Sequence, residues 1–160
     1  MQLIPEELNQ YLLATCEPEP SLLKKIDRET QLEVLMPRMV SGHLQGRVLS
    51  MLSKLIQPKR ILEIGTSLGL ATNSLALGNP EAIITTLEGC KNTQDVAIKN
   101  FEKQFEGAYG RDFTYPKPNV NFVTTEFSTY FKTLNLSPIT HHLIYFDGNH
   151  SKKATLDYFE

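Results

Sequence analysis

The chain has 160 residues, enough for one domain with a buried core. Apolar residues make up 41% and charged residues 21%, values ordinary for a soluble globular protein, and no apolar run approaches the roughly 20 residues of a membrane helix. A net charge of −2 gives no electrostatic case for nucleic acid or an anionic membrane; residues 1–9 lack a secretion-signal pattern, and the distant Cys16 and Cys90 fit a reduced, cytoplasmic protein without metal-like spacing.

Residues 3–15 read as a helix, with Leu3, Leu8, Leu12 and Leu13 available for one face, and Cys16-Glu17-Pro18-Glu19-Pro20 breaks it. Ser21 can cap a second helix that runs to about Leu35, before Pro37. Met39-Val40-Ser41-Gly42 either passes over a ligand or simply joins two helices. Residues 42–56 form a third helix, with Leu44, Val48, Leu49, Leu52, Leu55 and Ile56 at helical spacing. From Pro58 onward the period alternates. Strand 60–64 leads to helix 70–77, which stops at Gly78-Asn79-Pro80. Strand 82–87 is followed by a helix over about 93–105, a loop over 107–119 and strand 120–123. A short helix over 127–134, strand 142–146 and a last helix from Lys152 complete the pattern. Four strands alternating with helices predict an α/β fold with a parallel sheet and right-handed crossovers. A helical segment, 1–57, precedes the alternating part, 58–160, within one domain.

Arg60-Ile61-Leu62-Glu63-Ile64-Gly65-Thr66-Ser67-Leu68-Gly69 is the richest stretch: an apolar strand, a glycine-bearing turn and a helix start. Such a turn at the carboxyl edge of a parallel sheet receives nucleotide-like ligands. Glu63, two residues before the first glycine, would repel a pyrophosphate and suits a cation. S-adenosylmethionine (SAM), which carries an ammonium and a sulfonium, meets that requirement. A plain strand-to-helix turn with a solvated glutamate is the alternative. Glu88 ends the second strand, where a carboxylate can accept two hydrogen bonds from ribose hydroxyls; otherwise it is a surface acid before a turn. Thr125-Glu126 after the third strand stands where an adenine amino group would lie, or else caps a helix.

Asp147-Gly148-Asn149-His150 follows the fourth strand. Asp147 could hold a divalent cation and His150 could act as general base, or Asp147 could cap the last helix and His150 lie on the surface. His43, His141 and His142 have no such setting, and Phe101, Phe105, Tyr130 and Phe131 fall at core-like helical spacings.

Together these pieces resemble class I SAM-dependent methyltransferases, in the O-methyltransferase branch with the catechol-, caffeoyl-coenzyme-A- and macrolide-type enzymes. Leu62-Glu63-Ile64-Gly65-Thr66 is similar to that branch's cofactor loop, Gln45-Gly46 fits its upstream helix, and Asp147-Gly148-Asn149-His150 is similar to its Asp-Gly-x-His segment. The resemblance covers roughly residues 36–160. It implies a Rossmann-like sheet of order 3-2-1-4. Glu63, Gly65, Thr66, Ser67 and Gly69 would contact or shape the methionine end, Glu88 the ribose and Glu126 the adenine. Asp147 would bind magnesium and His150 would take the acceptor's proton, giving methyl transfer to a small-molecule hydroxyl. Three departures stand out. Ser67 replaces a glycine of the broad superfamily pattern. Ala71 stands where many members have a serine for the methionine carboxylate, with Thr72 as the nearest substitute. The family's sheet has seven strands, and the C-terminal ones, with further acidic metal ligands, have no counterpart here. Strand four would then be an apolar exposed edge: either the sequence is a fragment of a longer protein or a second chain covers that edge, and a dimer or aggregation is expected, with cofactor binding at best and weak or no turnover. The rivals are a nicotinamide-dependent oxidoreductase, whose usual turn lacks the acid at Glu63, and a non-catalytic interaction module.

Overall fold

A computed structural model of the chain describes residues 4–33, 42–105, 118–134 and 141–157. Three helices come first: α1 (Glu6–Thr15), α2 (Ser21–Glu33) and α3 (His43–Ile56). Then follow β1 (Arg60–Ile64), α4 (Leu70–Gly78), β2 (Ile83–Glu88), α5 (Lys91–Phe105), β3 (Asn119–Thr124), α6 (Phe127–Leu134), β4 (Leu143–Phe146) and α7 (Lys152–Asp157). All strand pairs are parallel and the sheet order is β3-β2-β1-β4, as the sequence predicts. Residues 34–41 and most of the predicted 107–119 loop lie outside the described residues, and with them Leu35 and Met39-Val40-Ser41; Gly42 precedes α3.

The topology follows from strand chemistry. β1 is covered on both faces, and Ile61, Leu62, Glu63 and Ile64 are all buried. A strand sandwiched between helix layers needs a continuous apolar run rather than alternation. Right-handed crossovers from β1 to β2 and β2 to β3 put α4 and α5 on one face. There Leu49 of α3, Ala71, Leu75 and Ala76 of α4 and Phe101 of α5 pack on Ile61 and Ile84. The chain then jumps from the β3 edge to β4, which carries α6 to the other face. Phe127, Tyr130 and Phe131 cover Leu62, Ile64, Leu87 and Phe146 there. The reversal of strand order between β1 and β4 opens a crevice at the carboxyl edge, the usual ligand position in such sheets.

Small residues let α3 approach α4: an added Cβ on Gly46 would meet Ser74 Oγ at 2.8 Å. The buried Ser53 hydroxyl donates to the Leu75 carbonyl at 2.9 Å. Leu23 and Ile26 of α2 pack with Leu70, whereas α1 buries no residue. Predicted boundaries shift by one or two residues where local hydrogen bonds decide them. Ala82 N–H closes the preceding turn onto Asn79 O at 3.2 Å, so β2 starts at Ile83. Cys90 O accepts Gln94 N–H at 3.0 Å, so α5 starts at Lys91. Ser151, not Asp147, caps α7, with its Oγ accepting Ala154 N–H at 3.3 Å. Among the described residues no helix is long and apolar enough to cross a membrane.

Candidate cofactor-binding and catalytic site

The site grows from the end of β1. Gly65 and Thr66 both donate their N–H groups to Leu87 O, at 2.9 and 3.0 Å, so the chain folds over the end of β2. Gly65 has φ +101°, and a Cβ there would lie 2.3 Å from the Asp147 carbonyl oxygen. Absence of a side chain therefore lets β1 and β4 come together at the crevice. Ser67, at φ 49°, and Gly69, at φ 86°, complete a left-handed turn. Gly69 O accepts both Asn73 N–H at 2.9 Å and Asn73 Nδ2 at 2.7 Å, which starts α4.

Thr66 is buried, its Oγ1 2.6 Å from Thr86 Oγ1, so its side chain shapes the turn from below. Ser67 is exposed and donates its N–H to Glu88 Oε2 at 2.8 Å, while Glu88 Oε1 accepts Cys90 N–H at 3.0 Å. Two backbone donors thus fix the Glu88 carboxylate at the end of β2, and each oxygen retains a lone pair. Thr125 N–H donates to Glu88 O at 2.9 Å, which brings the start of α6 to the same edge. Glu126 there is exposed, and its carbonyl accepts Thr129 and Tyr130 N–H at 3.1 and 3.2 Å.

Glu63 has no exposed surface. Its Oε2 accepts the Thr72 hydroxyl, and Oε1 has no hydrogen-bond partner among the described residues. Burial pushes its carboxyl up to about 7; the Thr72 and Thr86 hydroxyls pull down against this, and the charges of Asp147 and Glu88 push further up. Thr72 is itself fully buried and committed to Glu63, so it does not stand in for the serine missing at Ala71.

At the end of β4, Asp147 N–H donates to Ile64 O at 2.8 Å. Its side chain joins a chain of polar contacts that starts on α3. Gln45 Nε2 donates to Tyr145 Oη at 2.5 Å, Tyr145 Oη donates to Asp147 Oδ2 at 2.9 Å, and His150 Nε2 lies 3.4 Å from Asp147 Oδ1. Asp147 and His150 are therefore neighbours, as their spacing suggests. Tyr145 was hidden in an apolar strand motif, and Gln45 entered only through the resemblance. The β1–β4 register, Glu63 opposite Tyr145, is the signal that joins them, and it exists only in the folded sheet. His142 sits at the other end of the sheet, its Nδ1 accepting Arg60 N–H at 3.2 Å. Among the described residues no group of three or more His, Cys, Asp or Glu side chains could hold a metal ion, and Asp147 already faces Tyr145 and His150. These residues do not by themselves fit a divalent cation. The acids at the neighbouring strand ends are of another kind: Glu63 keeps a buried carboxylate oxygen with no hydrogen-bond partner among the described residues, and Glu88 is held by two backbone donors.

Solved structures share this architecture. An O-methyltransferase from Bacillus cereus in complex with SAH has TM-score 0.76 and 20% identity, covering 96% of this chain and 66% of its own. Cofactor-bound Rv0187 from MTB has TM-score 0.75 and 26% identity, with coverage of 99% and 66%. The O-methyltransferase TomG from Streptomyces achromogenes, in complex with SAM, has TM-score 0.74 and 22% identity, with coverage of 96% and 66%. The chain thus spans just under two thirds of the length of these neighbours. The sequence model of the O-methyltransferase family matches residues 14–108, more than half of the chain. On that match, and on a sheet and turn that agree with it, the chain belongs to the O-methyltransferase family.

Proposed function

We propose that the protein transfers a methyl group from SAM to the hydroxyl of a small molecule. The observation that carries this reading is the convergence of Glu63, Glu88 and Asp147 on the carboxyl ends of β1, β2 and β4, around one left-handed turn. Family membership supports it, as do the SAH and SAM bound to the neighbours from Bacillus cereus and Streptomyces achromogenes. The sulfonium supplies an activated methyl, so the protein's task is orientation and proton transfer. In this reading Glu88 accepts the ribose hydroxyls on the lone pairs that Ser67 and Cys90 leave open. Gly65, Thr66, Ser67 and Gly69 shape the methionine end, and Glu126 faces the adenine. Glu63 lies beneath the positive end of the ligand. Asp147 orients His150 through Nε2, which leaves Nδ1 to take the acceptor's proton. Tyr145, itself held by Gln45, keeps Asp147 in place. A divalent cation at Asp147 would need ligands beyond the described residues, and no step is assigned to one. The free thiols of Cys16 and Cys90 accord with a reduced, cytoplasmic setting.

Titration calorimetry with SAM, SAH and NAD tests the cofactor. Micromolar binding of the first two and none of NAD is the expected result. Preferential binding of NAD would overturn the methyl-transfer reading, and no binding to a folded chain would remove the cofactor site. A second copy is proposed to cover the outer edge of β4, where Ile144 is 45% exposed on an otherwise apolar strand. Light scattering in dilute solution should report a dimer; a clean monomer would rule this out.

A further inference from the structure

Glu63 is a carboxylate in an unusual position. It is wholly buried; among the described residues Oε1 has no hydrogen-bond partner, and the groups that hydrogen-bond the carboxyl are hydroxyls, Thr72 on α4 and Thr86 opposite it on β2. Titratable groups facing it are Tyr145, its register partner on β4, with Asp147 beyond the end of β4 and Glu88 at the end of β2. Both acids carry the same sign as Glu63, and Tyr145 Oη is turned to Asp147. No Lys, Arg or His among the described residues pairs with Glu63. A buried carboxylate with one unpartnered oxygen and only acids beside it cannot stay ionised cheaply. The Gly65–Gly69 turn begins two residues after Glu63, and its Thr66 Oγ1 lies 2.6 Å from Oγ1 of Thr86, the residue opposite Glu63 on β2; this is the turn at which the proposed function seats its cationic ligand.

We infer that Glu63 is a charge-selecting group: at mildly acidic pH it holds a proton in the free protein and ionises when a cation occupies the turn, so that cation binding there releases one proton to solvent. This rests on the SAM reading and adds a selection rule to it. A ligand of the same shape without positive charge gains nothing from Glu63, because no ionised partner forms. The sign follows from the raised carboxyl, near 7. Below that pH a proton must leave before the cation is stabilised, so affinity falls about tenfold per pH unit; above it, affinity levels off.

The test is calorimetry of the whole chain with SAM at about pH 6, in two buffers of different ionisation enthalpy, repeated at about pH 9. The expected result is release of nearly one proton at the lower pH and almost none at the higher. 5′-Methylthioadenosine, which lacks both ammonium and sulfonium, should bind without proton release. Glu63→Gln should abolish the release and flatten the pH dependence of SAM affinity. SAM binding with no proton release in the native chain overturns the inference and leaves the cofactor reading intact. Equal release from Glu63→Gln overturns it in favour of Asp147 or His150 as the proton source. Failure of a folded chain to bind SAM at all overturns both.

Discussion

Gly65→Ala is expected to cost more than about 4 kcal/mol, most of the stability of a domain at the low end of the usual range. Two penalties combine. The φ of +101° is one that residues with a side chain rarely adopt, worth of order 1–3 kcal/mol. The added methyl would also lie 2.3 Å from the Asp147 carbonyl oxygen and 2.9 Å from Gly148 N, both backbone atoms that cannot swing aside. Relief requires β1 and β4 to part at the crevice, which breaks the Asp147 N–H bond to Ile64 O. Gly69→Ala is the control: it also has a positive φ, but its nearest contacts, at 3.4 Å, are ordinary packing. It should lose only about 1–2 kcal/mol. Urea denaturation of both variants checks the contrast, and equal losses would mean that the close approach at Gly65 is unimportant.

Glu88→Ala should weaken SAM binding by about 30-fold or more, roughly 2 kcal/mol or above, with a smaller loss of stability. Its carboxylate does two jobs. It receives the Ser67 and Cys90 N–H groups, so it sets the left-handed turn and the start of α5, and it presents the remaining lone pairs to the crevice. Charge-assisted bonds of this kind are worth about twice neutral ones. Glu88→Gln is not a mild change here. An amide has one acceptor oxygen, and its NH2 would point at one of the two backbone donors. Calorimetry on the two variants should therefore show similar losses. A glutamine variant that binds like the native chain would remove Glu88 from the cofactor site.

Much of this was legible in the sequence because the relevant signals are local. The Glu63–Gly69 run announces strand, turn and helix within a few residues, and the alternation after Pro58 fixes the sheet type. The strand order β3-β2-β1-β4 came from the family resemblance rather than from the strand pattern itself. Local reading fails where function depends on register. Tyr145 looks like one more large residue in Leu143-Ile144-Tyr145-Phe146, until pairing sets it opposite Glu63 and within reach of Gln45, a hundred residues earlier. Thr72 looked like a spare hydroxyl for a ligand, but the helix turns it inward to Glu63. Sequence also left a solvated Glu63 open, because its burial depends on α4 closing over β1.

The pairing of β1 with both β2 and β4 has a kinetic consequence. Arg60 meets Ile83, whereas Ile61 meets Leu143, which closes a loop roughly three and a half times as long, at an added entropic cost of about 1 kcal/mol. During synthesis the turn, Glu63 and Glu88 leave the ribosome long before Asp147 and His150 exist. The β1–β2 half can thus condense early, and the β4 half docks last. A nascent chain would form its glycine turn before the Asp147–His150 pair exists.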